Sequence, residues 1–167
     1  QNELIDYSTN SGSFIKERIK NRVVRKYKTF GPIFRIDIEG VQTHGSTPWT
    51  GIDPIVTASQ MINSIQTIVS RNMPLTEAAA VVTIGAIHGG NRSNIIPEQV
   101  EMLGTVRTLS EADEKLVFER IRQIVTKTAE ANGTEATLEL PYSSHYPVTF
   151  NNIALTAKML PSLQKST

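Results

Sequence analysis

The alternation of apolar and polar side chains becomes legible after Gly31-Pro32. In FRIDIEG, Phe34, Ile36 and Ile38 point one way and Arg35, Asp37 and Glu39 the other, which predicts a strand with one buried and one wet face. After the loop VQTHGSTPWTGI, Asp53 stands as an N-cap ahead of Pro54, whose missing N–H costs nothing in a first helical turn. Ile55, Ala58, Ile62, Ile65 and Val69 recur at spacings of three and four, the stripe of an amphipathic helix that Pro74 ends. AVVTIGAIHGG is β-branched and apolar enough for a central strand. The short loop GGNRSNIIP makes the next strand, QVEMLGTVRTL, its antiparallel neighbour. Ser110 and Asp113 form a capping-box-like start, Val117, Ile121, Ile124, Thr128 and Ala131 mark the buried stripe of a second helix, and Asn132-Gly133 stops it. TEATLEL then reads as a fourth strand with Ala136, Leu138 and Leu140 inward. The order β-α-β-β-α-β specifies an α+β, ferredoxin-like sandwich: a four-stranded antiparallel sheet with two helices on one face.

The flanks read differently. Between Ser13 and Lys28 seven Lys/Arg stand against one Glu, with a helix expected over about 14–26. Phe14 and Tyr27 are the stretch's two aromatics, too few for a base-stacking series, so a solvated basic face is favoured over a nucleic-acid or membrane surface. The tail NNIALTAKMLPSL is expected to be a short helix without a partner in this chain. These shifts place boundaries at residues 1–32 (basic extension or linker), 33–147 (the sandwich) and 148–167 (the tail).

Composition adds exclusions. A length of 167 residues with 39% hydrophobic and 20% charged residues suits one folded domain, not a disordered chain. A net charge of +1 does not mark a general polyanion binder, and the absence of Cys excludes disulfides, thiolate zinc sites and a Cys nucleophile. No apolar run approaches the roughly 20 residues a membrane span needs. The polar N-terminus lacks an initiator Met, as expected of a processed chain or an excised fragment. The compartment is left open.

Candidate chemistry is sparse. The three histidines, His44, His88 and His145, stand in no HxxxH or HExxH pattern, and no G-x-S-x-G, P-loop or GxGxxG is present. The chain alone therefore does not read as a self-sufficient catalyst. Two loops stand out. THGSTPWTGIDP sets a lone His among turn formers, where His44 either caps the surface or donates a hydrogen bond to developing negative charge. In GGNRSNIIP, Asn94 either stabilises its own turn or binds a ligand amide or carboxylate. Arg107, on the parity opposite to Val100, Met102 and Val106, projects from the face without helices and either joins a surface ion pair or forks a carboxylate.

HGSTPWTGIDPI, the later GG-x-x-x-NIIP, and GTVRT, whose Arg follows Asn94 by thirteen residues, together resemble the lid, or dimerisation, domain of M20 metallopeptidases and amidohydrolases. EQVEMLGTVRTL and YPVTFNN also fit, so the resemblance spans about residues 33–165. It implies a lid inserted into a larger α/β domain that holds one or two zinc ions, or another divalent metal, with a carboxylate as general base. It implies dimerisation through the lids, with the residue matching His44 polarising the scissile carbonyl in the neighbouring subunit. Residues matching Asn94 and Arg107 would hold substrate, the Arg through its carboxylate, and Gly89 and Gly90 match loop glycines that shape backbone near substrate. His88 and His145 match no ligand position, and the metal-ligand motifs are absent, so no metal is expected on this chain. The basic residues 1–32 fit the family poorly. The implied substrate is a small N-acyl amino acid or peptide, with neither nucleic acid nor membrane as partner. The rival expectations are a stand-alone ferredoxin-like regulatory module binding a small molecule and a purely structural dimerisation module. An RNA-binding version is disfavoured, because VVTIGAI and QVEMLGTV offer no stacking aromatics.

Overall fold

The computed structural model describes residues 32–74 and 79–142 and, beyond them, positions 152, 154, 155, 157–159 and 161. The chain divides into one unit of residues 29–148 and a second of residues 1–28 and 149–167. In the second, positions 154, 155, 157–159 and 161 are helical, and the Asn152 side chain accepts the Leu155 N–H at 2.9 Å, as an N-cap does. The expected helix over 14–26 and His145 lie outside the described residues.

The larger unit runs β1 (Ile33–Glu39), β2 (Thr43–His44), a 3-10 turn (Pro48–Thr50), α1 (Pro54–Thr67) ending in a wider π-turn (Ile68–Asn72), β3 (Ala80–Gly89), β4 (Ile95–Ile96), β5 (Gln99–Thr108), α2 (Glu111–Asn132) and β6 (Glu135–Glu139). The main sheet has the order β3-β5-β1-β6 with every neighbour antiparallel. Setting aside the two-residue β2 and β4, this is the β-α-β-β-α-β sandwich that the alternation specifies.

One face of the sheet is dry. Phe34, Ile36 and Ile38 of β1 and Val100, Met102 and Val106 of β5 are buried against Ala58, Met61 and Ile65 of α1 and Val117, Ile121, Val125 and Ala129 of α2. Ile36 sits between Met102 and Leu138 in register, so one rung of three apolar side chains crosses the sheet. Gly104 on β5 leaves room for the Phe34 ring: a Cβ there would lie 2.2 Å from Cζ of Phe34. The caps form as their residues predict. Asp53 accepts the N–H groups of Ile55 (2.8 Å) and Val56 (3.2 Å), and Ser110 Oγ accepts the N–H of Asp113. The Ser110 hydroxyl in turn donates to the Asp113 carboxylate at 2.6 Å, in place of the Asp113-to-backbone N–H bond of a full capping box. Gly133 ends α2 with φ 70°, its N–H returned to the Ala129 and Glu130 carbonyls.

Three details depart from the pattern. On α1 the buried line is Pro54, Thr57, Ala58, Met61 and Ile65, while Ile55 is 45% exposed and Ile62 and Val69 are half-buried. The seven-residue spacing of Ile55, Ile62 and Val69 makes them a ridge on the helix flank, because seven residues nearly close two turns. On α2 the line keeps a spacing of four through Val125 and Ala129, leaving Ile124 and Thr128 at its margin and Ala131 exposed. β3, apolar enough for the sheet centre, is an edge strand. Its register with β5 also shifts between Ile84 and Ala86, a bulge at Gly85 that sets His88 opposite Glu101. An isolated Gly inside a strand is the sequence signal for such a bulge.

Candidate functional site

The two loops singled out by the sequence are joined. β2 and β4 pair antiparallel, Thr43 opposite Ile96 and His44 opposite Ile95. Gly45 N–H donates to the Asn94 carbonyl at 2.8 Å, and Gly40 N–H to that of Glu98 at 2.8 Å. A Cβ on Gly45 would lie 3.2 Å from the Asn94 carbonyl oxygen, so the chains pass here backbone against backbone. Val41 and Ile52 exchange hydrogen bonds of 2.9 and 3.1 Å across the base of the His44 loop. Thr50 Oγ1 bonds Thr43 Oγ1 at 2.5 Å and the Thr47 carbonyl at 2.8 Å. His44 on β2 and Asn94 in the turn just before β4, fifty residues apart, thus lie next to each other at one end of a small ribbon, both exposed.

The imidazole has a definite setting. The Thr47 N–H donates to the His44 carbonyl at 2.9 Å, closing a four-residue turn. Within it, the Ser46 N–H donates to His44 Nδ1 at 3.1 Å, and Ser46 Oγ lies 2.7 Å from the same nitrogen. From the sequence, Gly45, Ser46 and Pro48 are expected only to hold the backbone tightly while the imidazole stays free; the structure instead ties Nδ1 of the ring to Ser46. Trp49, on the same loop, is 78% exposed.

Arg107 stands elsewhere. It lies near the far end of β5, opposite Val81, and its Nη1 donates to the Val106 carbonyl at 2.8 Å. The other end of β5 holds Val100, opposite Gly89. The seven-residue separation is roughly 23 Å of extended strand. One copy of the sheet therefore brings His44 and Asn94 together and holds Arg107 apart from them.

Gly89 and Gly90 border a cleft of about 920 Å³ on the open face of the sheet, which His88, Arg92, Asp37 and Glu101 also line. Gly90 has φ +79°, a conformation that favours glycine. Inside the cleft Arg35 bridges Asp37 (2.9 Å) and Glu101 (2.9 Å). The hydrogen bond to Asp37, with Tyr142 and Glu101 behind it, holds the guanidinium above its usual pKa, so it stays charged. One guanidinium thus faces two carboxylates, which leaves the triad with a net negative charge. None of His44, Asn94 and Arg107 lines the cleft. Among the described residues no group of three or more His, Asp or Glu side chains could hold a metal ion, so these residues do not fit the divalent metal that the resemblance assigns to the larger domain.

Residues 33–133 match the peptidase dimerisation domain family. The chain is 38% identical over 130 residues to an N-acetyldiaminopimelate deacetylase of Leuconostoc mesenteroides, covering 78% of this chain and 33% of that protein. It is 36% identical over 134 residues to an N-acetyl-L-cysteine deacetylase of Bacillus subtilis, covering 80% and 31%. A crystal structure of a candidate aminohydrolase from methicillin-resistant Staphylococcus aureus superposes with a TM-score of 0.72 at 30% identity, covering 81% of this chain and 35% of that one. The chain thus spans about a third of the length of the relatives it matches.

Proposed function

Because the chain belongs to the peptidase dimerisation domain family of the M20 amidohydrolases and peptidases, we propose that it is the lid through which a hydrolase of small N-acyl amino acids or peptides dimerises and completes its active sites. In this reading His44 donates a hydrogen bond to the oxyanion that develops on the scissile carbonyl, Asn94 holds the substrate beside it, and Arg107 takes the substrate carboxylate. Gly89 and Gly90 let the backbone approach substrate. The divalent metal belongs to the part of the parent protein outside this chain. This chain alone is expected to hydrolyse nothing. In the same reading the lid takes residues 33–147, flanked by a basic extension or linker at 1–32 and the start of a returning catalytic-domain helix at 148–167.

The observation that carries the reading is the ribbon that stitches His44 to Asn94 while Arg107 lies at the other end of β5. The edge strand β3 supports a dimer. It has the composition of a central strand, exposes Val81 and Ile87, and runs beside α1, whose Ile55 Cδ1 lies 3.8 Å from where a Gly90 Cβ would be. A second copy on this edge would bury that strand and the Ile55–Ile62–Val69 ridge. A two-fold axis normal to the sheet pairs β3 with its own copy antiparallel, which sets the His44 end of one lid beside the Arg107 end of the other. Each active site then draws His44 and Asn94 from one lid and Arg107 from its partner.

Subunit mixing tests this in the parent enzyme. His44→Ala should lower kcat about 10²–10³-fold, the usual cost of losing one oxyanion donor, and Arg107→Ala should mainly raise KM. Each variant is then nearly inactive at low substrate concentration. In a mixed dimer one site carries both lesions and the other carries neither. Exchange should therefore restore roughly a quarter of the sites, since half the dimers mix and half of their sites are whole. No recovery after proven exchange would place both side chains in one lid's own site. A strictly monomeric parent by light scattering at micromolar concentration would remove the dimer.

A further inference from the structure

The turn that carries His44 also chooses which of its nitrogens holds the proton. A backbone N–H can only donate, so the 3.1 Å contact from Ser46 N–H makes His44 Nδ1 an acceptor. A neutral imidazole has one acceptor and one donor nitrogen, which leaves the proton on Nε2. Ser46 Oγ, 2.7 Å from Nδ1, is then a second donor to the same lone pair. The opposite tautomer would set Nδ1–H against Ser46 N–H. The Ser46 amide is itself held. Gly45 before it is tied to the Asn94 carbonyl, and Thr47 after it closes the turn on His44. The ring accepts from the amide two residues on, as an Asp or Asn side chain does in an Asx-turn.

We propose that Ser46 is a positioning residue that locks His44 in the Nε2–H tautomer, so that the loop presents a neutral N–H donor and not a base. Nδ1 is occupied by Ser46, and Nε2 already carries the proton, so neither nitrogen of the neutral ring is available to take a proton from an attacking water. The assignment of the tautomer stands on the turn geometry alone. Its catalytic consequence rests on the reading of His44 as the oxyanion donor.

Nitrogen NMR on this chain, with 15N-labelled His and backbone, tests the lock. Expected at a pH where the ring is neutral are a protonated Nε2, a bare Nδ1, and a scalar coupling across the hydrogen bond between the Ser46 amide nitrogen and Nδ1. Ser46→Thr should keep both, and Ser46→Ala should keep the coupling, because the amide remains. Ser46→Pro should lose the coupling and relax the ring to a tautomer mixture. If the Pro variant fails to fold, the wild-type coupling decides. A wild-type ring protonated at Nδ1, or no coupling to Ser46, overturns the inference. In the parent enzyme Ser46→Pro should lower kcat several-fold with KM unchanged, and Ser46→Thr should restore it. If the coupling is present but neither Ser46→Pro nor His44→Ala changes kcat, the lock stands and the oxyanion role of His44 fails.

Discussion

The helix-covered sheet and the β2–β4 ribbon belong to one folded unit but are held by different forces. In the sheet, Phe34, Ile36, Ile38 and Met102 are wholly buried, each contributing about 1.5–3 kcal/mol by leaving water. In the two loop segments, 41–52 and 90–98, no residue is buried. What holds them is a set of backbone hydrogen bonds, each contributing a net 0.5–1.5 kcal/mol or so, and glycines that let strands touch. The difference separates two tasks. Burial fixes the fold and tolerates little change, whereas the ribbon leaves side chains uncovered, and His44 and Asn94 are there. Regions that meet a ligand come from the weakly held end of a structure, because their groups must stay accessible.

If the two regions are independent, the largest effect comes from the buried one. Phe34→Ala removes a fully buried ring between the helices and Gly104 and should cost about 3–5 kcal/mol, read as a fall in the urea midpoint of this chain. Below its unfolding transition the variant should keep the Ser46–His44 coupling. A variant that stays folded but loses that coupling would show that the ribbon leans on the core.

The same division explains what the sequence disclosed. The core strands were legible because side chains alternate with period two, so Phe34, Ile36 and Ile38 announce their shared face. The helix stripes were found but rotated: Ile55 and Ala131 fit the apolar spacing, yet the neighbouring layer ends before it reaches them. β3 was misplaced because its composition describes a strand covered on both sides, while the chain by itself covers one edge. The family motifs led to His44, Asn94 and Arg107 without revealing their arrangement. The ribbon rests on backbone groups of Gly45, Asn94 and Ile95, and a backbone group has no letter in the sequence. Arg107's distance from the other two follows from register, which a motif spacing does not contain.

A smaller effect should arise within the ribbon itself. A Cβ on Gly51 would fall 2.5 Å from both the Val41 carbonyl oxygen and Thr43 Cγ2, with backbone on one side that cannot yield cheaply. Gly51→Ala should cost about 1–3 kcal/mol of overpacking and be felt locally. Amide exchange at Ile52 and Gly45 should speed up markedly, while the amides of Ile36 and Met102 keep their protection. Unchanged exchange at Ile52 would mean that the loop base does not depend on the close approach at Gly51.

The finest test uses the residue where the regions meet. Asp53 follows Ile52, the last member of the His44 loop, yet its carboxylate serves α1 by accepting from Ile55 and Val56. Its carbonyl takes the Thr57 hydroxyl at 3.1 Å, and Thr57 is fully buried. By these bonds Asp53 belongs with the buried layer although it neighbours the loop in sequence. Asp53→Ala strips an N-cap and should lower global stability by about 1 kcal/mol. Asp53→Asn keeps an acceptor oxygen and loses only the attraction of a negative charge to the helix N-terminus, so it should cost a few tenths of a kcal/mol, more at low salt than at high. Neither change touches the turn from His44 to Thr47, and the Ser46–His44 coupling should persist in both. If Asp53→Ala abolishes that coupling while the chain stays folded, the N-cap holds the loop as well as the helix, and the two regions are not independent.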